Sequence, residues 1–174
     1  DGPFTPRTGN WSVVGQEYFA QRQTGSSTVI STLQTDTALP ENLDVRVTFN
    51  ADPATATRWS NAFIIFDYNS PTDFKFAGAF VGINRWAIGH MTDRGYKIDS
   101  SFRQQVNAGT DYDIQVLLEG NRVTLRSRTS PSSSYETKTS FIFDSVDDFT
   151  GGQIGLATLR ASTRFDDFSA REIV

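Results

Sequence analysis

The chain contains no cysteine. That excludes a disulfide framework and any thiolate zinc site. A single histidine, His90, excludes an imidazole-rich metal centre and leaves one possible base for a Ser-His-Asp triad. No G-x-S-x-G nucleophile elbow accompanies it, so His90 reads as a packed residue at a sheet end. Lysine occurs only at Lys75, Lys97 and Lys138, and the net charge is −4. Nonspecific nucleic-acid binding needs a basic face, so nucleic acid is not an expected partner. No apolar run approaches the roughly 20 residues of a membrane-spanning helix, and membrane insertion is not expected. Helical periodicity is almost absent. Glutamate is confined to five scattered positions, Glu17, Glu41, Glu119, Glu136 and Glu172. The paired carboxylates of a glycosidase are therefore not apparent.

What is present is a set of short alternating runs broken by turn residues about every 8–12 positions, the mark of an all-β sandwich. DVRVTFNA (44–51) places Val45, Val47 and Phe49 on one face. DYDIQVLLEGNRVTLRSRT (111–129) reads as a hairpin turning at Glu119-Gly120-Asn121, with Tyr112, Ile114, Val116 and Leu118 inward. Further strands are expected in 9–21, 27–35, 135–145, 153–159 and 163–174. Loops are expected at 35–42, 52–59, 69–73, 92–101, 129–134 and 145–152, with a short helical turn at Asp147-Asp148-Phe149. The 174 residues suffice for one well-buried core, so a single β-sandwich domain over 1–174 is expected. The chain opens without a signal-like segment, as a mature fragment or excised module would. A cysteine-free, arginine-over-lysine composition suits a bacterial extracellular or cell-surface domain.

The central stretch NAFIIFDYNSPTDFKFAGAF (61–80) holds two apolar runs around a polar turn. Folded symmetrically about Pro71, it sets Asp67 opposite Lys75, a favourable charge pair, and Phe63 opposite Ala79. The next turn, folded about Ile83, sets Phe80 opposite Trp86. In this register Ile64, Phe66, Phe76, Phe80, Trp86 and Ile88 share the core face. Phe63, Ile65, Ala77, Ala79, Ala87 and Gly89 share the other face, with Asp67, Lys75 and Arg85 at its rim. Small residues beside convergent charges invite a ligand to approach the backbone. Sugar recognition needs aromatic faces plus planar polar groups. The candidate ligand-binding residues are Asp67, Tyr68, Asp73, Lys75, Arg85, Trp86 and Tyr96, with Trp59 and Phe74 as further candidate stacking rings. Asp166 and Asp167 are the candidate ligands for a structural calcium ion.

Three stretches together resemble one family: GNWSVVGQEY (9–18), AFIIFDYNSPTDFKFAGAFVGINRWAIGH (62–90) and GGQIGLATLRASTRFDDFSA (151–170). They are similar to concanavalin A-like, laminin-G-like jelly-roll modules of bacterial extracellular proteins. The resemblance implies two antiparallel sheets with a concave face, frequent calcium, and carbohydrate binding or adhesion. It also implies Asp67 on the concave face and Asp166 in a closing strand near the N-terminus. The E-x-D-x-x-E strand of related glucanases has no match here. The expected role is a noncatalytic, monomeric module of a larger secreted or surface protein, with a glycan or polysaccharide as partner. A hydrolase or lyase on the same fold, and a protein-binding spacer, are the alternatives.

Overall fold

A computed structural model describes residues 2–25, 27–131, 134–144 and 151–174. The expected helical turn at Asp147-Asp148-Phe149 lies outside the described residues. Among them, fourteen strands form two seven-stranded antiparallel sheets. Sheet I runs β1 (Phe4–Thr8), β4 (Thr28–Leu33), β13 (Gln153–Leu159), β6 (Asn61–Ser70), β7 (Asp73–Phe80), β8 (Arg85–Thr92) and β9 (Gly95–Arg103). Sheet II runs β12 (Glu136–Ile142), β11 (Arg122–Thr129), β10 (Tyr112–Glu119), β5 (Asn42–Ala51), β14 (Thr163–Glu172), β3 (Glu17–Gln21) and β2 (Asn10–Val14). The arrangement is a jelly-roll β-sandwich, as the alternating runs foretold.

The core between the sheets follows the period-two alternation. Val45, Val47 and Phe49 of β5 face inward and pair along the ladder with Val116, Ile114 and Tyr112 of β10. From sheet I come Ala62, Ile64, Phe66, Ala77, Ala79, Trp86 and Ile88. Each large side chain buried in this way stabilises the fold by about 1.5–3 kcal/mol. Trp86 is 1% exposed, and its indole N–H donates to Gln104 Oε1 at 3.1 Å.

The register of the central hairpins differs from the symmetric expectation. Phe66 faces Lys75, Ile64 faces Ala77, and Ala62 faces Ala79. Near the turn the ladder shifts: β6 advances from Phe66 to Ser70 while β7 advances only from Lys75 to Asp73. The surplus residues form a bulge in which Asp67 adopts φ +49°. Across the next turn Phe80 faces Arg85 and Ala79 faces Trp86. A one-residue offset inverts a strand's faces, so β7 is turned over relative to the expectation. Ala77 and Ala79 enter the inter-sheet core, and Phe76 and Phe80 go to the outer face of sheet I.

That outer face carries a second apolar layer. Phe63, Phe76 and Phe80 pack ring on ring, with centroids 4.9 Å and 4.8 Å apart for the two pairs made by Phe63. Ile30, Ile65, Phe74, Met91 and Leu159 complete the layer. β6 and β7 are thus buried on both faces, which is why their sequences read as nearly continuous apolar runs. Small residues make room for the rings. A methyl on Gly89 would strike the Phe76 ring and the Lys97 carbonyl, and one on Gly78 would strike the Ala62 carbonyl.

Two further differences concern sheet edges. Residues 95–101, expected as part of a loop, belong to edge strand β9 (Gly95–Arg103). Its weak pattern (Tyr96, Ile98) is interrupted by Lys97 and Asp99, the charged dressing that keeps an exposed edge from pairing with another chain. Edge strand β1 was not anticipated, because Pro6 sits in it; an edge tolerates proline since one side of its ladder is unpaired.

The outer face of sheet II is polar. Arg46 grips Asp44 through Nε and Nη2, Gln115 donates to the same carboxylate, and Arg128 and Thr48 hold Asp113. Burial pushes the Asp44 carboxyl up, but hydrogen bonds from Arg46 and Gln115, with the charges of Arg46 and Arg171, outweigh it and hold the carboxyl below its ordinary value. Its stabilising contribution is therefore complete above the ordinary carboxylate pKa of about 3.9 and is lost as pH falls through the depressed folded value. Asp44→Asn should be less stable than wild type near pH 6, and the gap should close on acidification toward about pH 2–3 in urea titrations. Gly78→Ala should cost about 1–3 kcal/mol through overpacking. Gly82→Ala, whose new methyl meets nothing nearer than 3.6 Å, should be close to neutral in thermal melts.

Candidate functional site

The end of the sandwich where β6 begins is built around one buried amide. The β6–β13 ladder runs through Phe63 and Ala157. Beyond it the Asn61 side chain takes over. Its Nδ2 donates to the Leu159 carbonyl and its Oδ1 accepts the Leu159 N–H, both at 2.8 Å. The Asn61 carbonyl accepts from Thr163 Oγ1 at 2.7 Å. Asn61 is fully buried, and both polar atoms of its side chain and its carbonyl are paired.

This clamp fixes three loops. The Trp59 N–H donates to the Arg160 carbonyl at 2.7 Å, and the Arg160 N–H donates to the Ser27 carbonyl at 2.9 Å. The Asp52 N–H donates to the Ser162 carbonyl, and the Arg22 N–H reaches Ser162 Oγ. Arg160 is held at φ +49°, a region that a residue with a Cβ adopts at a cost.

The loop at 52–60 and the turn after β7 border a cleft of about 310 Å³ lined by Trp59, Tyr96, Phe80, Ile83, Arg58 and Ser60, among others. Trp59, Ile83 and Tyr96 are 38%, 53% and 40% exposed, unlike the aromatic residues of either core. The Trp59 and Tyr96 rings stand nearly perpendicular, 86° apart with centroids at 6.0 Å. Tyr96 also leans on Phe80 at 5.4 Å, so its ring is braced by the outer apolar layer. Ser60, which also lines the cleft, is 2% exposed, and its shielded Oγ has no hydrogen-bond partner within the protein. A buried hydroxyl in that condition is costly unless something else completes it.

The sequence candidates are dispersed over the molecule. Tyr96 lies in this cleft. Arg85, at the same end of β8, is half-buried opposite Phe80, and its Nε lacks a hydrogen-bond partner. Trp86 is enclosed between the sheets and offers no face to a ligand. Tyr68 is 8% exposed in the outer layer, and burial pushes its phenol up from its ordinary pKa. Asp73 is exposed in the β6–β7 turn at the opposite end.

Asp67 and Lys75 also lie at that opposite end, turned inward rather than toward the outer face. The bulge brings Asp67 Oδ2 to 2.5 Å from Lys75 Nζ, while Oδ1 accepts the Gly152 N–H at 3.0 Å. Lys75 Nζ also sits 5.4 Å from the centre of the Phe143 ring. Asp67 borders a cleft of about 580 Å³ walled largely by Leu39, Leu43, Leu118 and Ile154. Both of its oxygens are engaged within the protein. His90 is likewise engaged, through Nδ1 and Asp99 Oδ2 at 2.6 Å.

Asp166 and Asp167 are the candidate calcium ligands. They occupy an exposed bulge of β14, where Asp166 Oδ1 already accepts the Asp167 N–H at 2.8 Å. Calcium takes six to eight oxygens. No group of three His, Cys, Asp or Glu side chains able to hold a metal is present among the described residues.

No protein-family model matches the chain, and no curated protein matches its sequence. Solved structures match its fold. The carbohydrate binding module CBM66 from Bacillus subtilis superposes with a TM-score of 0.79 at 12% identity, over 98% of this chain and 96% of that one. A GH43 protein of Bacillus licheniformis, BlXynB, gives 0.71 at 10% identity over 98% of this chain and 37% of its own. The exoplasmic/lumenal domain of VIP36, in a form bound to Ca2+ and Man3GlcNAc, gives 0.68 at 8% identity over 98% and 83%. The chain shares the concanavalin A-like jelly-roll fold of these proteins.

Lys75→Met should cost about 3–5 kcal/mol in denaturant unfolding, because it strands a carboxylate that is 2% exposed. Pairing it with Asp67→Asn should recover part of that loss. A cost below about 1 kcal/mol for the single change would show that the ion pair is dispensable to the fold.

Proposed function

We propose that this chain is a noncatalytic carbohydrate-binding module and that the Trp59–Tyr96 cleft receives the saccharide. The observation that carries the reading is the convergence of three exposed apolar side chains, Trp59, Ile83 and Tyr96, on one cleft that Arg58 also lines. Pyranose and furanose rings present C–H faces that stack on aromatic rings, and hydroxyls that complete protein hydrogen bonds. Two rings at right angles form a floor and a wall for one sugar.

The absence of carboxylates from this lining, among the described residues, argues against hydrolysis here. A glycosidase places two acids on either side of the scissile bond. The fold neighbours support the same reading: one is a carbohydrate binding module, and another is a domain bound to Man3GlcNAc. The matched third of the GH43 protein agrees with a module attached to a larger chain. We place the protein as a monomeric module of a secreted or cell-surface protein, in keeping with the exoplasmic/lumenal origin of the VIP36 domain.

Affinity electrophoresis against a panel of soluble polysaccharides tests this. Wild type should be retarded by at least one of them. Trp59→Ala and Tyr96→Ala should each weaken that binding about tenfold or more while changing the melting temperature little. Asp73→Ala, at the far end, should bind as wild type does. Retardation that survives both aromatic changes, or none with any polysaccharide, would overturn the proposal.

A further inference from the structure

The surface beside Trp59 is basic in a chain whose net charge is −4. Two more clefts adjoin the aromatic one, of about 420 and 590 Å³. Trp59 forms the wall shared with the first of these, and Arg58 lines both the aromatic cleft and the second. Three arginines line this system: Arg22, Arg58 and Arg160. Among the described residues, no aspartate or glutamate lines any of the three clefts. The cleft at the other end of the sandwich, by contrast, is lined by Glu41 and Asp67.

The arginines are also under-used. Arg22 Nε and Arg58 Nε are buried without hydrogen-bond partners. Arg58 meets Asp52 at 3.8 Å and donates from Nη2 to the Pro53 carbonyl at 3.4 Å, and Asp52 is shared with Arg164 at 3.5 Å. The Arg160 guanidinium carbon lies 5.1 Å from the Trp59 ring centroid, and backbone bonds to Trp59 and Ser27 hold the Arg160 backbone at positive φ. A guanidinium on an aromatic face keeps its in-plane N–H donors free to bind a second group. The site thus pairs a sugar-stacking ring with forked donors suited to carboxylate or sulfate, preorganised by three cross-tied loops.

We propose that the saccharide taken by this site is acidic. A sugar ring sits in the Trp59–Tyr96 corner, and the anionic substituent of that sugar or its neighbour is held by Arg160, Arg22 and Arg58. The inference rests on the carbohydrate-binding reading above and adds the charge class of the ligand. A uronate carboxylate and a sulfate ester offer the same chemistry, and the test separates them.

Isothermal titration of the chain uses tetramers of galacturonate, glucuronate and mannuronate, a sulfated galactose tetramer, and neutral tetramers of galactose, glucose and mannose. Inorganic polyphosphate is the control for charge alone. At least one acidic tetramer should bind about tenfold or more tightly than its neutral counterpart, and the preference should shrink as salt rises. Binding confined to the uronates assigns the carboxylate, and binding confined to the sulfated tetramer assigns the sulfate. Arg160→Gln and Arg22→Gln should erase most of the acidic preference, weakening the acidic tetramer far more than the neutral one. Trp59→Ala should weaken both.

If a neutral tetramer binds as tightly as every acidic one, and the arginine variants change nothing, the acidic preference is wrong while the sugar site stands. If no tetramer binds, or binding ignores Trp59, both fail. If polyphosphate binds as well as the best acidic tetramer, the arginines form an anion patch rather than a saccharide site, and the inference is overturned.

Discussion

The Asn61 amide is the constraint on which this end of the molecule depends. Where β6 and β13 run out of ladder, one side chain supplies both hydrogen bonds that a backbone partner would have made. Without it, the Leu159 N–H and carbonyl would be left unpaired inside the protein, each at a cost of about 1–3 kcal/mol. Because the bonds come from a side chain, the two backbones are free to diverge just beyond it. That divergence lets the Trp59 loop rise on one side and the Arg160 turn on the other, with a single backbone bond joining them. The same residue ends the regular sheet and positions the irregular segments.

The two sheets meet solvent in opposite ways. Sheet II presents arginine–carboxylate pairs, with Arg46, Arg126 and Arg128 grouped around the Tyr135 ring at 4.6–5.9 Å. Sheet I covers itself with its own phenylalanines, so its outer face is already filled where an open groove would otherwise run. On the proposed reading, recognition is displaced from the middle of the sheet to its end. There the apolar layer supplies Phe80 as a brace for Tyr96 rather than as a contact surface of its own.

Strands with clean alternation were legible from sequence, as β5, β10 and β11 show. The ion pair of Asp67 with Lys75 was also legible, although for an incomplete reason. Charge complementarity identified the partners, but the bulge that joins them depends on backbone conformation at Asp67, where a non-glycine residue takes positive φ. Missing that bulge inverted β7 and moved two alanines to the wrong side. The candidate site was harder to read. Trp59, Arg22 and Arg160 are far apart in the chain and meet only through loop hydrogen bonds, which leave no periodic trace. The usable signal was local: Trp59 sits in a polar loop between strands, where a tryptophan has no alternating pattern to place it in a core.

The positions of the three tryptophans differ sharply. Trp86 is enclosed between the sheets, and Trp11 is half-buried and stacked on Tyr18 at 4.5 Å. Trp59 alone among them stands well into solvent beside a guanidinium. Two indoles thus give a fixed optical background. The third makes the native fluorescence of the molecule a direct read-out of whether the mouth of its cleft is wet or covered.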